Sequence, residues 1–360
     1  MKRKNLTRLI VGVVLVTVMA LALGGGCAAP TTPTTPTTPT TPTTPIQEDT
    51  FKWRLQSVWP APQSEANVKP MVEQIEKASG GLLTIEYYCG NELVPDEQCM
   101  KALQDGTIDM ALFCATQSAV PADVQELDCS SSFTWANAME CLTLSKTRGL
   151  DEIFAEAYEE MGGFYFLGSC TCDPITLMST KPIEKYEDLN GLKLMAYANQ
   201  AYALCKAGAS ATILPAEEFY LAAQTGVIEG IVWGGATEGY TNGWHEVMPY
   251  MLWPPIAGTA RIWWGVNDKS WDALPTNLQG VVEAAVDAAA MRTFLYYYDG
   301  ETKYRPYFTI TQMPKDDWAR LQADMVEYYD EVAMNSERAA RAVQIIRDYC
   351  AEVEAAEWFR

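Results

Sequence analysis

Apolar residues recur along the chain alternately with the period of a strand and the period of a helix. Residues 51–57 alternate between apolar and polar side chains, which predicts a strand. Residues 65–79 carry apolar side chains at helical spacing and are followed by two glycines, which predicts a helix and its end. Further strands are predicted at 82–88, 108–113, 164–167, 192–196, 227–233 and 261–266, and further helices at 96–104, 142–161, 202–207, 216–225, 278–298 and 314–353, the last long enough that a break is expected. Strands that alternate with helices indicate parallel sheets, so the pattern predicts an α/β fold.

The first 49 residues follow neither pattern. A basic segment, 1–8, precedes an apolar run over 9–23, and this order predicts an export signal peptide over 1–26. A small residue before Cys27 predicts processing as a lipoprotein, with Cys27 lipidated; ordinary signal cleavage and an uncleaved anchor are the alternatives. Residues 27–49 contain a Pro-Thr-Thr repeat that stays extended, so they are expected to form a stalk. We therefore expect an exported protein, in the periplasm or at the cell surface, that its lipidated cysteine anchors to the membrane.

The charge of the chain narrows the classes of function. Acidic residues number 46 and basic residues 26, which gives a formal net charge of −20 at pH 7. A surface this negative repels phosphate backbones and anionic lipids, so nucleic-acid binding and electrostatic membrane binding are disfavoured. The chain has one histidine, His245, and no Gly-x-Ser-x-Gly or His-Glu-x-x-His motif. The sequence therefore gives no support to a hydrolase, and His245 is interpreted as structural.

The cysteines form no recognisable metal or disulfide motif. Nine of them follow Cys27, an odd number, so at least one is free or pairs between molecules. Export permits disulfides, but the irregular spacing does not give their pattern. Cys170 and Cys172 are the one close pair, and they lack a second pair or a nearby histidine. They are interpreted as core residues rather than as metal ligands.

Five segments of the chain carry motifs that occur together in one family. They are GGLLTI at 80–85, LQDGTIDM at 103–110, KPIEKYEDLNGLK at 181–193, AGAS at 207–210 and PAEEFYLAAQTGVIEG at 215–230. In these segments the chain resembles the solute receptors of tripartite ATP-independent periplasmic (TRAP) transporters, and the similarity runs from about residue 51 to the C-terminus. Each segment alone is a weak signal, whereas the five in family order are specific.

The resemblance implies a two-domain, periplasmic-binding-protein-like fold of the Venus-flytrap type, with segments that cross between the domains and long C-terminal helices. It places domain I at 50–172 plus 259–300, and domain II at 173–258 plus 301–360. It implies a receptor that captures a small organic solute, commonly a carboxylate, and delivers it to TRAP membrane subunits, with no cofactor and no enzymatic activity. An exported receptor that senses its ligand is the alternative, and a lipid-anchored hydrolase is a further one.

One position departs from the family pattern. The family carries an arginine two residues after the lysine of its GlK motif, where it pairs with the carboxylate of the solute; here Lys193 is followed at that place by Met195. A methionine side chain donates no hydrogen bond and offers apolar contact. Lys193 and Arg261 are the candidates to replace the arginine, and a surface or hinge ion pair is the alternative interpretation for both. The substitution, together with 11 tryptophans, favours a less charged, more apolar, aromatic or cationic solute.

The candidate ligand contacts follow from predicted strand ends and from the resemblance. In an open α/β sheet, ligands bind beyond the carboxyl ends of strands, where Trp59 and Trp233 are predicted to lie. Some relatives hold a metal beside the ligand with an acidic residue just before this tryptophan; Val232 occupies that place, so no metal is expected. Glu217 opens a helix, and Trp263 lies on a strand that crosses between domains. The full set of candidates is Trp59, Thr116, Gln117, Met195, Tyr197, Glu217, Trp233, Gly234, Arg261 and Trp263.

Overall fold

The computed structural model describes residues 49–116, 118, 120 and 122–356. The predicted signal peptide, the lipidated Cys27 and the candidate contact Gln117 lie outside the described residues, as does the stalk as far as residue 48. Within the described part of the chain, no helix combines the length and the apolarity that a membrane span requires.

Strands and helices alternate through most of the described chain. The strands are β1 (Phe51–Gln56), β2 (Leu83–Tyr88), β3 (Met110–Phe113), β4 (Phe164–Thr171), β5 (Thr176–Ser179), β6 (Lys193–Met195), β7 (Ser210–Thr212), β8 (Gly230–Trp233), β9 (Tyr250–Leu252), β10 (Arg261–Asn267) and β11 (Thr309–Thr311). The helices are α1 (Ala61–Ala78), α2 (Cys99–Gln104), α3 (Gln125–Asp128), α4 (Ala138–Thr147), α5 (Leu150–Glu159), α6 (Ala198–Lys206), α7 (Phe219–Gln224), α8 (Ala236–Thr241), α9 (Asp268–Asp272), α10 (Thr276–Tyr304), α11 (Lys315–Ala333) and α12 (Glu337–Ala356). The predicted α/β fold class, with two sheets and long C-terminal helices, is confirmed.

The first sheet has five strands in the order β2-β1-β3-β10-β4. Strand β1 pairs in parallel with β2 and β3, whereas β10 runs antiparallel to β3 and β4. Every side chain of β3 and β10 is buried, which fits the continuous apolar sequence of β3. We call residues 51–172 and 259–300, which form this sheet and the helices beside it, the first lobe.

The second sheet has six strands in the order β11-β9-β5-β8-β6-β7. Strand β6 pairs in parallel with β7 and β8, and β5 runs antiparallel to β8 and β9. We call residues 173–258 and 301–311 the second lobe. The strands of each sheet fall within the ranges predicted for one domain, while the limits of the domains remain a prediction.

The C-terminal helices divide between the lobes. The predicted helix over 314–353 is broken at residues 334–336, and its halves are α11 and α12. Helix α11 packs on α6 of the second lobe, whereas α12 packs on α4 and α5 of the first. At the start of α12, Arg338 forms ion pairs with Asp123 and Glu160, both in the first lobe. Helix α12 thus buries its apolar face on the first lobe, while the assignment of 301–360 to domain II remains a prediction.

Other elements differ from the sequence prediction for local reasons. The predicted helix over 142–161 is two helices, because Gly149 adopts a left-handed conformation with φ of 86° between α4 and α5. Strands β5, β7, β9 and β11 were not predicted, since runs of three or four residues are too short to show an alternating pattern.

Candidate functional site

A cavity of about 50 Å³ lies between the two lobes. Residues of the first lobe that line it include Val58, Trp59, Cys114, Cys129, Ala260 and Ile262. Apolar residues of the second lobe that line it include Ile175, Tyr197, Ala216, Trp233, Gly234 and Trp244. Most of these residues lie at or just beyond strand ends, where an open α/β sheet presents its binding site.

The two lobes contact each other around this cavity. The Asn199 side chain of the second lobe donates a hydrogen bond of 3.0 Å to the Ser130 carbonyl of the first. At the end of α8, Thr241 accepts a hydrogen bond of 2.9 Å from the Gln63 amide of α1. These contacts correspond to a closed arrangement, in which the cavity is small and largely shielded from solvent.

Aromatic side chains form much of the cavity wall. The ring of Trp233 lies 6.1 Å from that of Tyr197 and 5.2 Å, edge to face, from that of Phe219. On the opposite lobe, Trp59 lies three residues after the end of β1, and its ring is 6.2 Å from the Tyr297 ring of α10. Of the candidate contacts, Trp59, Tyr197, Trp233 and Gly234 line the cavity, and their contact with a ligand remains a prediction.

Two buried carboxyl groups face the cavity, and neither was singled out from the sequence. Asp173 lies where the chain crosses from β4 to the second lobe, and Glu238 lies in the first turn of α8. The Glu238 carboxylate accepts hydrogen bonds from the Trp233 indole at 2.7 Å and from the Tyr297 hydroxyl at 2.8 Å. The Glu238 backbone N–H donates to Asp173 Oδ2 at 2.9 Å, so the two acids are held side by side.

Both carboxyl groups are costly to ionise. Burial raises the pKa of Asp173 well above its usual range, and the nearby charges of Glu301 and Glu238 raise it further. Burial also raises the pKa of Glu238, although the hydrogen bonds from Tyr297 and Trp233 oppose this. Among the residues that the structure describes, no lysine or arginine lines the cavity to neutralise them.

Two hydrogen-bond acceptors at the cavity are buried without a partner in the described part of the chain. They are Oε1 of Gln200 and Oδ1 of Asp173. The Thr237 hydroxyl lies beside the Asp173 carboxyl and lowers its pKa, but it makes no hydrogen bond of good geometry to Oδ1. A buried acceptor without a donor costs roughly 1–3 kcal/mol, and more when it is charged. The arrangement therefore suits a ligand that supplies hydrogen-bond donors and positive charge.

The remaining candidates do not line the cavity. Met195, at the end of β6, is fully buried among apolar side chains of the second lobe. Glu217 is exposed, although its neighbour Ala216 lines the cavity. Thr116 is half-buried outside the lining residues, and its Oγ1 has no partner within residues 49–116, 118, 120 and 122–356.

Arg261 lies in the core of the first lobe, where it belongs to a buried ion-pair network. Its guanidinium forms ion pairs with Asp128 and, at 2.7 Å, with Asp151, and it donates to Ser145 at 3.2 Å. The Trp263 indole donates to the same Asp128 at 2.7 Å, which places Trp263 in this core as well. Arg261 and Trp263, which were predicted to contact a ligand, therefore pack in the core of the first lobe. Their strand, β10, is buried along its whole length.

The cavity is distinct from a wider groove of about 870 Å³ at the segments that cross between the lobes. The groove is lined by Trp253, Phe294, Tyr298 and Arg305, with Cys172 shared between groove and cavity. Across the described residues, no group of three or more His, Cys, Asp or Glu side chains is arranged to hold a metal ion. The cavity, with its unpartnered acceptors, is therefore the candidate site.

The chain matches one protein family in comparisons with known proteins. The model of the family described as bacterial extracellular solute-binding protein, family 7, matches residues 58–335. A periplasmic protein of Nostoc sp. that binds monocarboxylate 2-oxoacids is 23% identical over 277 residues, which cover 71% of this chain and 74% of that protein.

Solved structures of similar fold come from TRAP periplasmic solute-binding proteins. One, from Chromohalobacter salexigens with bound (S)-(+)-2-amino-1-propanol, is 29% identical, with a TM-score of 0.82 over 86% of this chain and 99% of that chain. Another, from Pseudoalteromonas atlantica with bound sodium and pyruvate, is 22% identical, with a TM-score of 0.77 over 86% of this chain and 97% of that chain.

Proposed function

Since the chain belongs to bacterial extracellular solute-binding protein family 7 and is a TRAP-type solute receptor, we propose that its solute is a small organic ammonium ion, such as an amino alcohol. The observation that carries the proposal is the buried, unpartnered Oδ1 of Asp173 in a cavity with a second acid, Glu238, and no cationic side chain among the described residues. An ammonium group would donate to Oδ1 and supply the missing positive charge.

The other walls of the cavity fit the same class of solute. Trp59, Tyr197 and Trp233 present aromatic surface, which attracts a cation as well as apolar groups. The unpartnered carbonyl of Gln200 is suited to accept from a hydroxyl group. The volume of about 50 Å³ fits a solute of few heavy atoms. The relative from Chromohalobacter salexigens, which was solved with 2-amino-1-propanol, supports this choice over a carboxylate.

Binding is coupled to closure in this proposal. Asp173, Tyr197 and Trp233 belong to the second lobe, while Trp59 belongs to the first, so a solute in the cavity contacts both. Such a solute stabilises the closed arrangement by its higher affinity for that arrangement. The TRAP membrane subunits would then recognise the closed receptor, which acts as a carrier and performs no catalysis.

A thermal-shift screen tests the proposed solute class. The purified protein is heated with 2-amino-1-propanol, other amino alcohols, amino acids, pyruvate and glucuronate. At about 100 times its Kd, a true solute stabilises by about 2.7 kcal/mol, which is a shift of several degrees. We expect a shift with amino alcohols and none with pyruvate or glucuronate. A shift with a carboxylate alone would refute the proposal.

We also propose that Cys27 is lipidated and anchors the receptor after removal of residues 1–26. The basic and apolar order of the first residues and the small residue before Cys27 support this. In a host that processes lipoproteins, the wild-type protein is expected in the membrane fraction and the Cys27→Ser variant in the soluble fraction. A variant that remains with the membrane would show that another segment anchors the chain.

A further inference from the structure

Three cysteine thiols from separate segments converge on the cavity. Cys114 follows β3, Cys129 follows α3, and Cys172 follows β4. Each is a free thiol in the structure, and each is 6% exposed. Binding of an organic ammonium solute does not explain why three thiols line the cavity.

Two of the three thiols interact with each other. The Cys114 side chain is a hydrogen-bond partner of the Cys129 thiol and raises its pKa. Strand β10 holds the backbone of both: Phe113, next to Cys114, pairs with Trp263, and the Cys129 carbonyl accepts the Arg261 backbone N–H at 2.5 Å. The backbones of Cys114 and Cys129 are therefore both held at the same end of β10.

The third thiol lies on the other side of β10. The sheet order β3-β10-β4 places that strand between Cys114 and Cys172. The Cys172 backbone N–H donates to the Ala260 carbonyl at 2.9 Å, which fixes Cys172 at the end of β4. Cys172 also acts electrostatically on Cys129, but the hydrogen-bond interaction with Cys129 is made by Cys114, which favours the Cys114–Cys129 pair.

We propose that Cys114 and Cys129, which both line the solute cavity, form a disulfide in the exported receptor. Extracytoplasmic compartments permit such bonds. The proposal rests on the extracytoplasmic placement of this family and not on the identity of the solute. Cys172 remains a thiol.

The bond forms by thiol–disulfide exchange with a protein or small-molecule disulfide as oxidant. The thiolate of one cysteine attacks a sulfur of that disulfide, which forms a mixed disulfide and releases one thiolate of the oxidant. The second cysteine gives up its proton and attacks the mixed disulfide at the first cysteine. The Cys114–Cys129 bond forms, the oxidant leaves as two thiols, and both electrons have passed to it.

The timing follows from burial. The hydrogen bond with Cys114 and burial together raise the pKa of the Cys129 thiol, so few thiolates are present while the lobes are closed. Exchange therefore takes place during folding or while the lobes are open. Once formed, the bond is shielded from reductants by the same closed arrangement.

Peptide mapping tests the proposal on the wild-type protein. The receptor is exported, purified without reductant, denatured in an alkylating reagent, digested and analysed by mass spectrometry. We expect one peptide pair linked through Cys114 and Cys129 and lost on reduction, with Cys172 alkylated. Alkylation of both Cys114 and Cys129, or a link from either to Cys172, would overturn the proposal. Because no solute is involved, this result is independent of the proposed solute class.

A stability measurement gives a second test with a matched control. A closed loop of about 15 residues is expected to raise the melting temperature by about 5 °C. Reductant should therefore lower the melting temperature of the wild type and of the Cys172→Ser control by about this amount, and leave Cys129→Ser unchanged. Cys172 has the same exposure and lines the same cavity, so the control matches the site. An equal effect of reductant on the melting temperature of Cys129→Ser would contradict the proposal. If a variant fails to fold, the peptide mapping of the wild-type protein decides the question.

Discussion

The Asp173→Asn variant is expected to lose at least about 100-fold of its affinity for an organic ammonium solute, as measured by calorimetric titration. The substitution keeps an oxygen that can accept from the Glu238 backbone N–H at Oδ2. It removes the charge and turns an amide N–H₂ toward the cavity in place of the unpartnered Oδ1. The ammonium group of the solute then faces a hydrogen-bond donor where it needs an acceptor. The variant should therefore lose affinity for the solute and keep most of its folding stability.

The same variant should alter the dependence on pH. Because burial and the Glu301 and Glu238 charges raise the pKa of Asp173 above 3.8, the folded protein holds this proton more tightly than the unfolded chain. The contribution of Asp173 to stability is thus complete below pH 3.8 and is lost as pH rises through the raised pKa. An ammonium group binds the ionised carboxylate, so the affinity of the wild type should rise with pH. If one proton is released on binding, the rise is up to about tenfold for each pH unit. This rise should be smaller in Asp173→Asn.

Glu217→Gln is the matched control for this substitution. It also neutralises one acid near the site, but Glu217 is exposed and does not line the cavity. Its affinity for the solute should equal that of the wild type. If Glu217→Gln lost as much affinity as Asp173→Asn, general electrostatic attraction and not a specific contact would explain the binding.

The Arg261→Met variant is expected to lose roughly 3–5 kcal/mol of unfolding free energy, as measured by denaturant titration. The substitution leaves Asp128 buried without its cation, and it leaves Asp151 with Lys146 as its remaining cationic partner. Burial raises the pKa of Asp151, but the charges of Arg261 and Lys146 and the hydrogen bonds from Arg261 and Ser169 together outweigh it and lower the pKa from 3.8 to about 2. The stability that Asp151 gains from this pairing is present above pH 3.8 and is lost as pH falls toward 2.

Arg341→Met supplies the comparison for an exposed ion pair. Arg341 pairs with Glu156 at 2.6 Å, but both side chains are about half exposed, so its loss should cost at most about 1 kcal/mol. The folded fraction of Arg261→Met should bind the solute as the wild type does. A variant that stayed as stable as the wild type yet lost solute binding would restore Arg261 as a ligand contact.

The sequence predicted the parts of the site that lie at strand ends. Trp59 and Trp233 line the cavity because Trp59 comes shortly after β1 and Trp233 ends β8, two strands predicted from the sequence. Gly234 directly follows Trp233, and Tyr197 lies two residues after the end of β6. The fold class followed from the alternation of strands and helices together with motifs in family order.

The acids and the arginine could not be assigned in this way. In the sequence, Asp173 and Glu238 look like ordinary surface acids, and only the crossing of the chain between lobes buries them together. From the sequence alone, Arg261 has no visible ion-pair partner, because Asp128 and Asp151 are 133 and 110 positions away along the chain. Burial and pairing of charges depend on tertiary packing, which periodicity does not encode.

The most direct test of the solute class compares two solutes of the same shape. Calorimetric titration of the wild-type protein with 2-amino-1-propanol and with 1,2-propanediol replaces the ammonium group by a neutral hydroxyl and leaves the remaining groups alike. Because a charged donor facing a buried carboxylate is worth several kcal/mol, the amine should bind at least about 100-fold more tightly. Equal affinities for the two solutes, or tighter binding of pyruvate than of the amine, would contradict the proposed recognition by Asp173.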